Sequence, residues 1–100
     1  MSITVSINDA THQVTIAIVG SFDFSLFNEF RAAYINLKNG YRLYVVDMSR
    51  VEYLDSAALG MLLSMKNALG QQSKIELHGA NEFIKNILMI SRFDKRFDIH

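Results

Sequence analysis

The sequence contains no cysteine. This absence excludes disulfide bonds, thiolate nucleophiles, cysteine-ligated zinc and iron–sulfur clusters. It is consistent with a reducing compartment. The N-terminal residues 1–4 also lack the basic and apolar regions that a signal peptide requires. We therefore expect a cytoplasmic protein.

The chain also lacks proline, internal repeats, net charge and any long apolar run. Ten basic and ten acidic residues balance to a formal net charge of zero, which argues against direct binding of nucleic acid, since that needs a basic face. No apolar run approaches the roughly 18 residues that cross a membrane, so no membrane insertion is expected. The five glycines are scattered, and none forms a phosphate-binding loop.

Apolar residues make up half of the chain, and 11% of its 100 residues are aromatic. This composition excludes an intrinsically disordered chain, which is poor in both classes. A chain of this length forms one layered core. We therefore assign residues 1–100 to a single domain.

The apolar pattern predicts a strand pair followed by further strands. Residues 3–8 alternate between apolar and polar, which predicts an edge strand, and residues 12–19 are β-branched, which predicts its hairpin partner. The apolar run 43–46 predicts a strand that ends in a loop after Asp47 and is buried on both faces, as in a helix-covered sheet. Residues 74–78 predict the next strand, and residues 97–99 a short last one.

Helical spacing alternates with these strands. A first helix, capped by Ser25, is expected to end at Gly40, a second to run from Asp55-Ser56 to Gly70, and a third to begin after Asn81. The order β-β-α-β-α-β-α-β predicts an α/β fold: an open mixed sheet of four to five strands with an N-terminal hairpin and three to four helices. Functional residues in such sheets concentrate where strands end and helices begin.

No pattern of residues predicts catalysis or a metal centre. His12, His78 and His100 are isolated in the sequence, without a second ligand at metal spacing. Ser56 lacks the G-x-S-x-G sequence of a nucleophile elbow. We therefore predict a protein that is not an enzyme and that uses no metal or cofactor.

Three aspartates lie at predicted strand ends or helix starts: Asp23, Asp47 and Asp55. Such positions are used by metal-dependent phospho-acceptor domains, but the acidic pair after the first strand and the strand-end lysine of that class are missing. We interpret them mainly as caps and loop residues.

The most informative segment is residues 49–63, where a buried strand is followed by Asp55-Ser56 at a helix start. Backbone N–H groups at such a start lack partners within the helix, and the helix dipole favours a phosphoryl group there. Phosphorylation would add about −1.5 to −2 charges, beside the carboxylate of Asp55. Ser56 is therefore a candidate phosphorylation site.

The same helix has a strip of small residues beside the leucines that are expected to face the core. Small residues allow a partner to approach closely, and methionines adapt to irregular surfaces. The predicted docking face consists of Ala57, Gly60, Met61, Ser64 and Met65. Spacing alone favours a simpler interpretation, in which Ser56 is only a helix cap and the methionines fill the core.

Four segments resemble the STAS domains, a family of sulfate-transporter and anti-sigma-factor-antagonist domains. Residues 20–23 (GSFD) resemble the family's G-x-h-D loop, in which h is apolar, and residues 44–49 (YVVDMS) resemble its central strand. Residues 54–60 (LDSAALG) resemble its D-S-S/T-G-L-G motif, and residues 88–91 (LMIS) its late helix end. The resemblance covers nearly the whole chain and implies the STAS fold.

The resemblance also implies an anti-sigma factor antagonist. In antagonist members the serine of the D-S motif is phosphorylated, which makes Ser56 the implied acceptor, with Asp55, Asp23 and Ala57 as supporting positions. The unphosphorylated form binds an anti-sigma factor that is also a serine kinase. Phosphorylation breaks this complex, and a PP2C-type phosphatase restores it.

Two departures and two alternatives accompany this interpretation. Ala57 replaces the family's second hydroxyl residue, and Ala58 replaces a common glycine. The first alternative is a small STAS subunit that docks on the ATPase of an ABC-type lipid-transport system. In such subunits the acceptor is often not serine, so Ser56 favours the antagonist. A less favoured alternative is a small-molecule or nucleotide sensor at the strand ends near Asp23 and Asp47.

Overall fold

A computed structural model describes residues 2–37 and 40–100, apart from the side chain of Gln72. The predicted fold class and the predicted order of elements are both confirmed. The elements are β1 (Ile3–Asn8), β2 (Gln13–Phe22), α1 (Phe27–Ile35), β3 (Leu43–Leu54), α2 (Ser56–Leu69), β4 (Lys74–His78), α3 (Glu82–Ile90) and β5 (Asp98–Ile99). Among the described helices, none combines the length and the apolar character needed to cross a membrane.

The strands form one mixed sheet in the order β1-β2-β3-β4-β5. The β1–β2 pair is antiparallel, and the other three pairs are parallel. Each of the three β-α-β crossovers places its second strand one position further along the sheet, always in the same direction. Since such crossovers are right-handed in nearly all proteins, the three helices fall on one face of the sheet. Their buried residues accordingly form a single hydrophobic cluster with the inward-facing strand residues.

The opposite side of the sheet, which we call the open face, has no helix among the described elements. The predicted burial of β3 on both faces is confirmed at Val45 and Val46, but the expected helix cover is found on one face only among the described elements. Val45 is buried, but its register neighbours on this face are Thr15 of β2 and Glu76 of β4. The described polar residues of the open face are half-buried or exposed and include Thr4, Ser6, Thr15, Asp47, Glu76 and His78.

Strand β3 continues to Leu54, although the sequence predicted a loop after Asp47. Met48, Val51 and Leu54 are buried at intervals of three residues. This spacing departs from the period of two that predicts a strand, because the register against β2 shifts twice in this region. The extension brings the chain to Asp55 at the carboxyl edge of the sheet.

The ends of α1 also differ from the prediction. Ser25 does not cap the helix. Instead, the carboxylate of Asp23 accepts a hydrogen bond from the Ser25 backbone N–H at 2.9 Å and begins a short 3-10 turn that leads into α1. The helix ends at Ile35, well before Gly40.

The later caps are as predicted. Gly70 follows α2 with a φ of 69°, a backbone conformation that glycine adopts without strain. The side chain of Asn81 accepts a hydrogen bond from the backbone N–H of Ile84 at 2.8 Å and begins α3. The sequence predicts these two caps well because each one satisfies backbone N–H or C=O groups at the end of its own helix.

Gly79 is expected to be intolerant of a side chain. Its φ is +77°, and a Cβ there would lie 2.9 Å from Ser49 Cβ and 3.1 Å from Ser49 Cα. We expect Gly79→Ala to lower the free energy of unfolding by about 1–3 kcal/mol, because strain and overlap act together. Urea denaturation measures this change.

The matched control is Gly60→Ala, in which the new Cβ meets nothing within 4 Å. This change in an exposed helical position should raise the free energy of unfolding by about 0.5–1 kcal/mol. Equal stability of the two variants would contradict the close approach of Gly79 to β3.

Candidate functional site

The register between β2 and β3 brings the two aspartates of the predicted site to the same edge of the sheet. Phe22 pairs with Leu54 in parallel register. The next residue in each chain is an aspartate, Asp23 after β2 and Asp55 after β3. The two carboxylates therefore leave neighbouring strand ends together, and each begins a helical turn.

Asp55 is the cap of α2. Its backbone is extended, with φ −120° and ψ −178°, and its Oδ1 accepts a hydrogen bond from the backbone N–H of Ala58 at 3.0 Å. Its carbonyl accepts a hydrogen bond from the N–H of Leu59 at 3.3 Å. Ser56 is thus the first residue of the helix, and the interpretation of Ser56 as the helix cap is wrong.

Ser56 is exposed at this edge, between the half-buried Asp55 and the half-buried Ala57. Asp23 lies on the neighbouring strand end, where its carboxylate accepts hydrogen bonds from both the N–H and the hydroxyl of Ser25. A phosphoryl group on Ser56 would be favoured by the helix N-terminus but opposed by the adjacent carboxylates. Phosphorylation would change the charge that Asp23 and Asp55 give this edge from about −2 to about −3.5 to −4.

The small-residue strip of α2 faces solvent. Gly60 and Ser64 are exposed like Ser56, and Ala57 is half-buried. Because residues three and four apart share a helix face, these positions form one continuous surface that begins at the candidate phosphorylation site. A partner can approach this surface closely, since the side chains on it are short.

The two methionines of the predicted docking face are buried instead of exposed. Met61 is 5% exposed and Met65 is fully buried, alongside Leu62. Leu59 and Leu63, which were expected in the core, are only half-buried. The prediction failed because α2 is apolar around most of its circumference. Packing against the sheet, which the sequence does not reveal, decides which stripe turns inward.

A groove between α1 and α2 runs beside the strip and has a volume of about 180 Å³. Met61 contributes to the groove despite its low exposure. Tyr34 also lines the groove, and burial raises the pKa of its hydroxyl above the usual value, while the nearby charge of Arg31 opposes this shift. The groove is small compared with cofactor pockets of about 300 Å³ or more, so its size suits one partner side chain. Its lining residues are Phe27, Phe30, Arg31, Tyr34, Ile35, Met61, Ser64 and Ala68.

Exposed aromatic residues accompany the two aspartates and were not singled out from the sequence. Phe24 is 67% exposed and Tyr53 is 50% exposed. The ring of Phe24 stacks on that of the partly exposed Phe27, with centroids 5.5 Å apart. Exposed aromatic residues are enriched at protein interfaces. The signal that would have found them is an aromatic residue within two positions of each strand-end aspartate, with Phe24 directly after Asp23 and Tyr53 two residues before Asp55.

A second group of polar side chains lies on the open face. The metal-binding atoms of Glu76, His78 and His100 are all within 4.8 Å of one another. The prediction that the histidines are isolated is wrong for His78 and His100, whose ring centroids are 4.9 Å apart. Glu76 and His78 are two residues apart in β4, but His100 joins them only through the parallel pairing of β4 with β5, which no spacing rule reveals.

The chain is similar to known proteins in sequence and in fold. A family model described as "Mlab, STAS domain" matches residues 5–99. A STAS-domain-containing protein of Pseudomonas aeruginosa (strain UCBPP-PA14) is 40% identical over 100 residues, which cover 99% of each chain.

Two solved structures share the fold at low sequence identity. An anti-sigma factor antagonist from Mycobacterium paratuberculosis has a TM-score of 0.79 at 21% identity, covering 99% of this chain and 86% of that chain. The anti-sigma factor antagonist SpoIIAA in its unphosphorylated form has a TM-score of 0.74 at 13% identity, covering 98% of this chain and 86% of that chain. At these identities the similarity establishes the fold.

Replacement of Asp55 tests how the helix start is built. Asp55→Ala should lower the free energy of unfolding by about 0.5–2 kcal/mol, because the Ala58 N–H loses its capping acceptor. Asp55→Asn retains a capping oxygen and should cost much less. Thermal or urea denaturation compares the two. A loss for the asparagine variant as large as that for the alanine variant would show that charge, and not the cap, sets the contribution of Asp55.

Proposed function

This chain belongs to the STAS domain family, and we propose that it acts as an anti-sigma factor antagonist switched by phosphorylation of Ser56. The unphosphorylated form binds an anti-sigma factor that is also a serine kinase. Phosphorylation breaks this complex, and a PP2C-type phosphatase restores it. The observation that carries the proposal is the exposed position of Ser56 at the start of α2, directly after the capping Asp55.

The surface next to Ser56 suits a protein partner. The exposed strip at Gly60 and Ser64 has short side chains, and the stacked pair Phe24–Phe27 supplies apolar area at the neighbouring strand end. Contacts of this kind exclude water. A phosphoryl group at their margin would lose hydration without gaining a countercharge, unless the partner supplied one.

The negative charge of Asp55 beside Ser56 strengthens the effect of phosphorylation on partner binding. Asp55 has its Oδ1 engaged by the Ala58 N–H, so the carboxylate stays beside Ser56 when the protein is modified. A phosphoryl group therefore adds its charge next to an existing negative charge, and the partner meets a strongly anionic edge. Repulsion between such an edge and a partner matched to the unmodified surface costs several kcal/mol when it is desolvated.

The comparisons support the proposal at the level of the fold. Both of the similar solved structures described above carry the name anti-sigma factor antagonist, and one of them is in an unphosphorylated form. Because one fold hosts different functions, experiments on Ser56 itself are needed to distinguish an antagonist from other members of this fold.

Paired variants of Ser56 provide the direct test. With the cognate kinase and labelled ATP, the wild-type protein should be phosphorylated and Ser56→Ala should not. Ser56→Ala should keep its partner in a pull-down from the native lysate. Ser56→Asp should bind at least about tenfold more weakly, which corresponds to about 1.4 kcal/mol.

Ser64→Ala is the matched control, since Ser64 is an exposed serine on the same helix. Its labelling should equal that of the wild type. Equal labelling of the wild type and Ser56→Ala would overturn the site assignment. A transporter ATPase captured equally by Ser56→Ala and Ser56→Asp would instead support the alternative of a transport-system subunit.

The docking strip is tested by adding bulk to it. Gly60→Leu and Ser64→Leu should abolish capture of the partner, because a large side chain blocks close approach. The melting temperature should change little, since both positions are exposed. Asn86→Leu, on the exposed side of α3, is the control and should leave capture intact. Partner binding that survives both strip variants would place the interface elsewhere.

A further inference from the structure

We propose that Glu76, His78 and His100 form a binding site for a divalent transition-metal ion of the Zn²⁺ class on the open face. This site lies on β4 and beside β5, and it does not depend on the proposed role of Ser56. Its failure would leave that role untouched, and the reverse is also true.

The backbone holds the three ligands on one face. Glu76 and His78 are two residues apart in β4, so their side chains point the same way. His100 continues the ladder beyond β5: its N–H donates to the carbonyl of Leu77 at 2.9 Å, and its carbonyl accepts from the N–H of Gly79 at 3.1 Å. All three ligands therefore stand on a hydrogen-bonded sheet, which limits how far they can separate.

The distances between the donor atoms suit a small ion. His78 Nε2 lies 2.8 Å from Glu76 Oε1, and His100 Nε2 lies 3.7 Å from Glu76 Oε2. With metal–ligand bonds of about 2.0–2.1 Å, two ligands of a tetrahedral zinc ion are about 3.3 Å apart. The observed separations bracket this value, so modest side-chain rotations would admit the ion.

The donor types select the class of ion. Two imidazole nitrogens and one carboxylate suit zinc and the neighbouring first-row metals. Calcium and magnesium prefer oxygen ligands throughout. Three protein ligands leave at least one coordination position for water or for a further ligand.

The electrostatic surroundings favour a cation. The side chain of Glu76 is only 15% exposed, and a carboxylate in such a place needs a positive partner. Lys74 Nζ lies 3.7 Å from Glu76 but 3.0 Å from Asp98, so this lysine is shared between two carboxylates. Asp47 adds a further acid as the register neighbour of His78.

Titration of zinc into the untagged full chain tests the proposal. Isothermal calorimetry should show one saturable equivalent, and neither calcium nor magnesium should reproduce it. Imidazole nitrogen NMR reports each of the three histidines separately. The signals of His78 and His100 should shift. The signal of His12 should not, because its Nε2 lies 2.7 Å from the Gly40 carbonyl oxygen in another part of the fold.

Single substitutions complete the test. His78→Ala and His100→Ala should each weaken zinc binding by at least about tenfold, while His12→Ala should leave it unchanged. The proposal would be overturned if zinc showed no saturable binding up to about 1 mM. A Kd of that size corresponds to a binding free energy of about −4.1 kcal/mol. Equal shifts of all three histidine signals, or equal losses for all three variants, would also overturn it.

Discussion

The parallel pairing of β2 with β3 is the constraint on which the rest of this structure depends. It joins the N-terminal hairpin to the crossover half of the sheet, and its register sets Phe22 beside Leu54. Two aspartates thereby reach the same edge from distant parts of the chain. A shift of one residue would turn the strand over and expose its buried side chains. The core therefore maintains the geometry of the candidate phosphorylation site.

The direction of the crossovers divides the surface into two parts with different chemistry. Because all three helices pack on one side, α2 has one side against the sheet and the other in solvent, which is where a protein partner can reach it. The open face keeps its polar side chains uncovered by the described helices. Phosphorylation at the helix start and metal binding on the open face would thus act on separate surfaces.

Helix α2 buries Ala58, Met61, Leu62 and Met65 on one side and exposes a strip of short side chains on the other. Flexible methionines fill the space under the helix, while the exposed strip at Gly60 and Ser64 carries only short side chains. Asp55 stabilises the start of the helix with its side chain, which leaves the hydroxyl of Ser56 outside the capping interaction.

The sequence by itself determined the order of the elements, the mixed sheet with its N-terminal hairpin and the caps at Asn81 and Gly70, because each of these depends on local patterning or backbone chemistry. It also identified Asp55-Ser56 as a strand-to-helix junction. Only the tertiary structure decided that β3 extends to Leu54, that Met61 and Met65 turn inward, and that His78 meets His100. These features depend on register and on packing between elements far apart in the chain, and neither hydrophobic periodicity nor residue spacing carries that information.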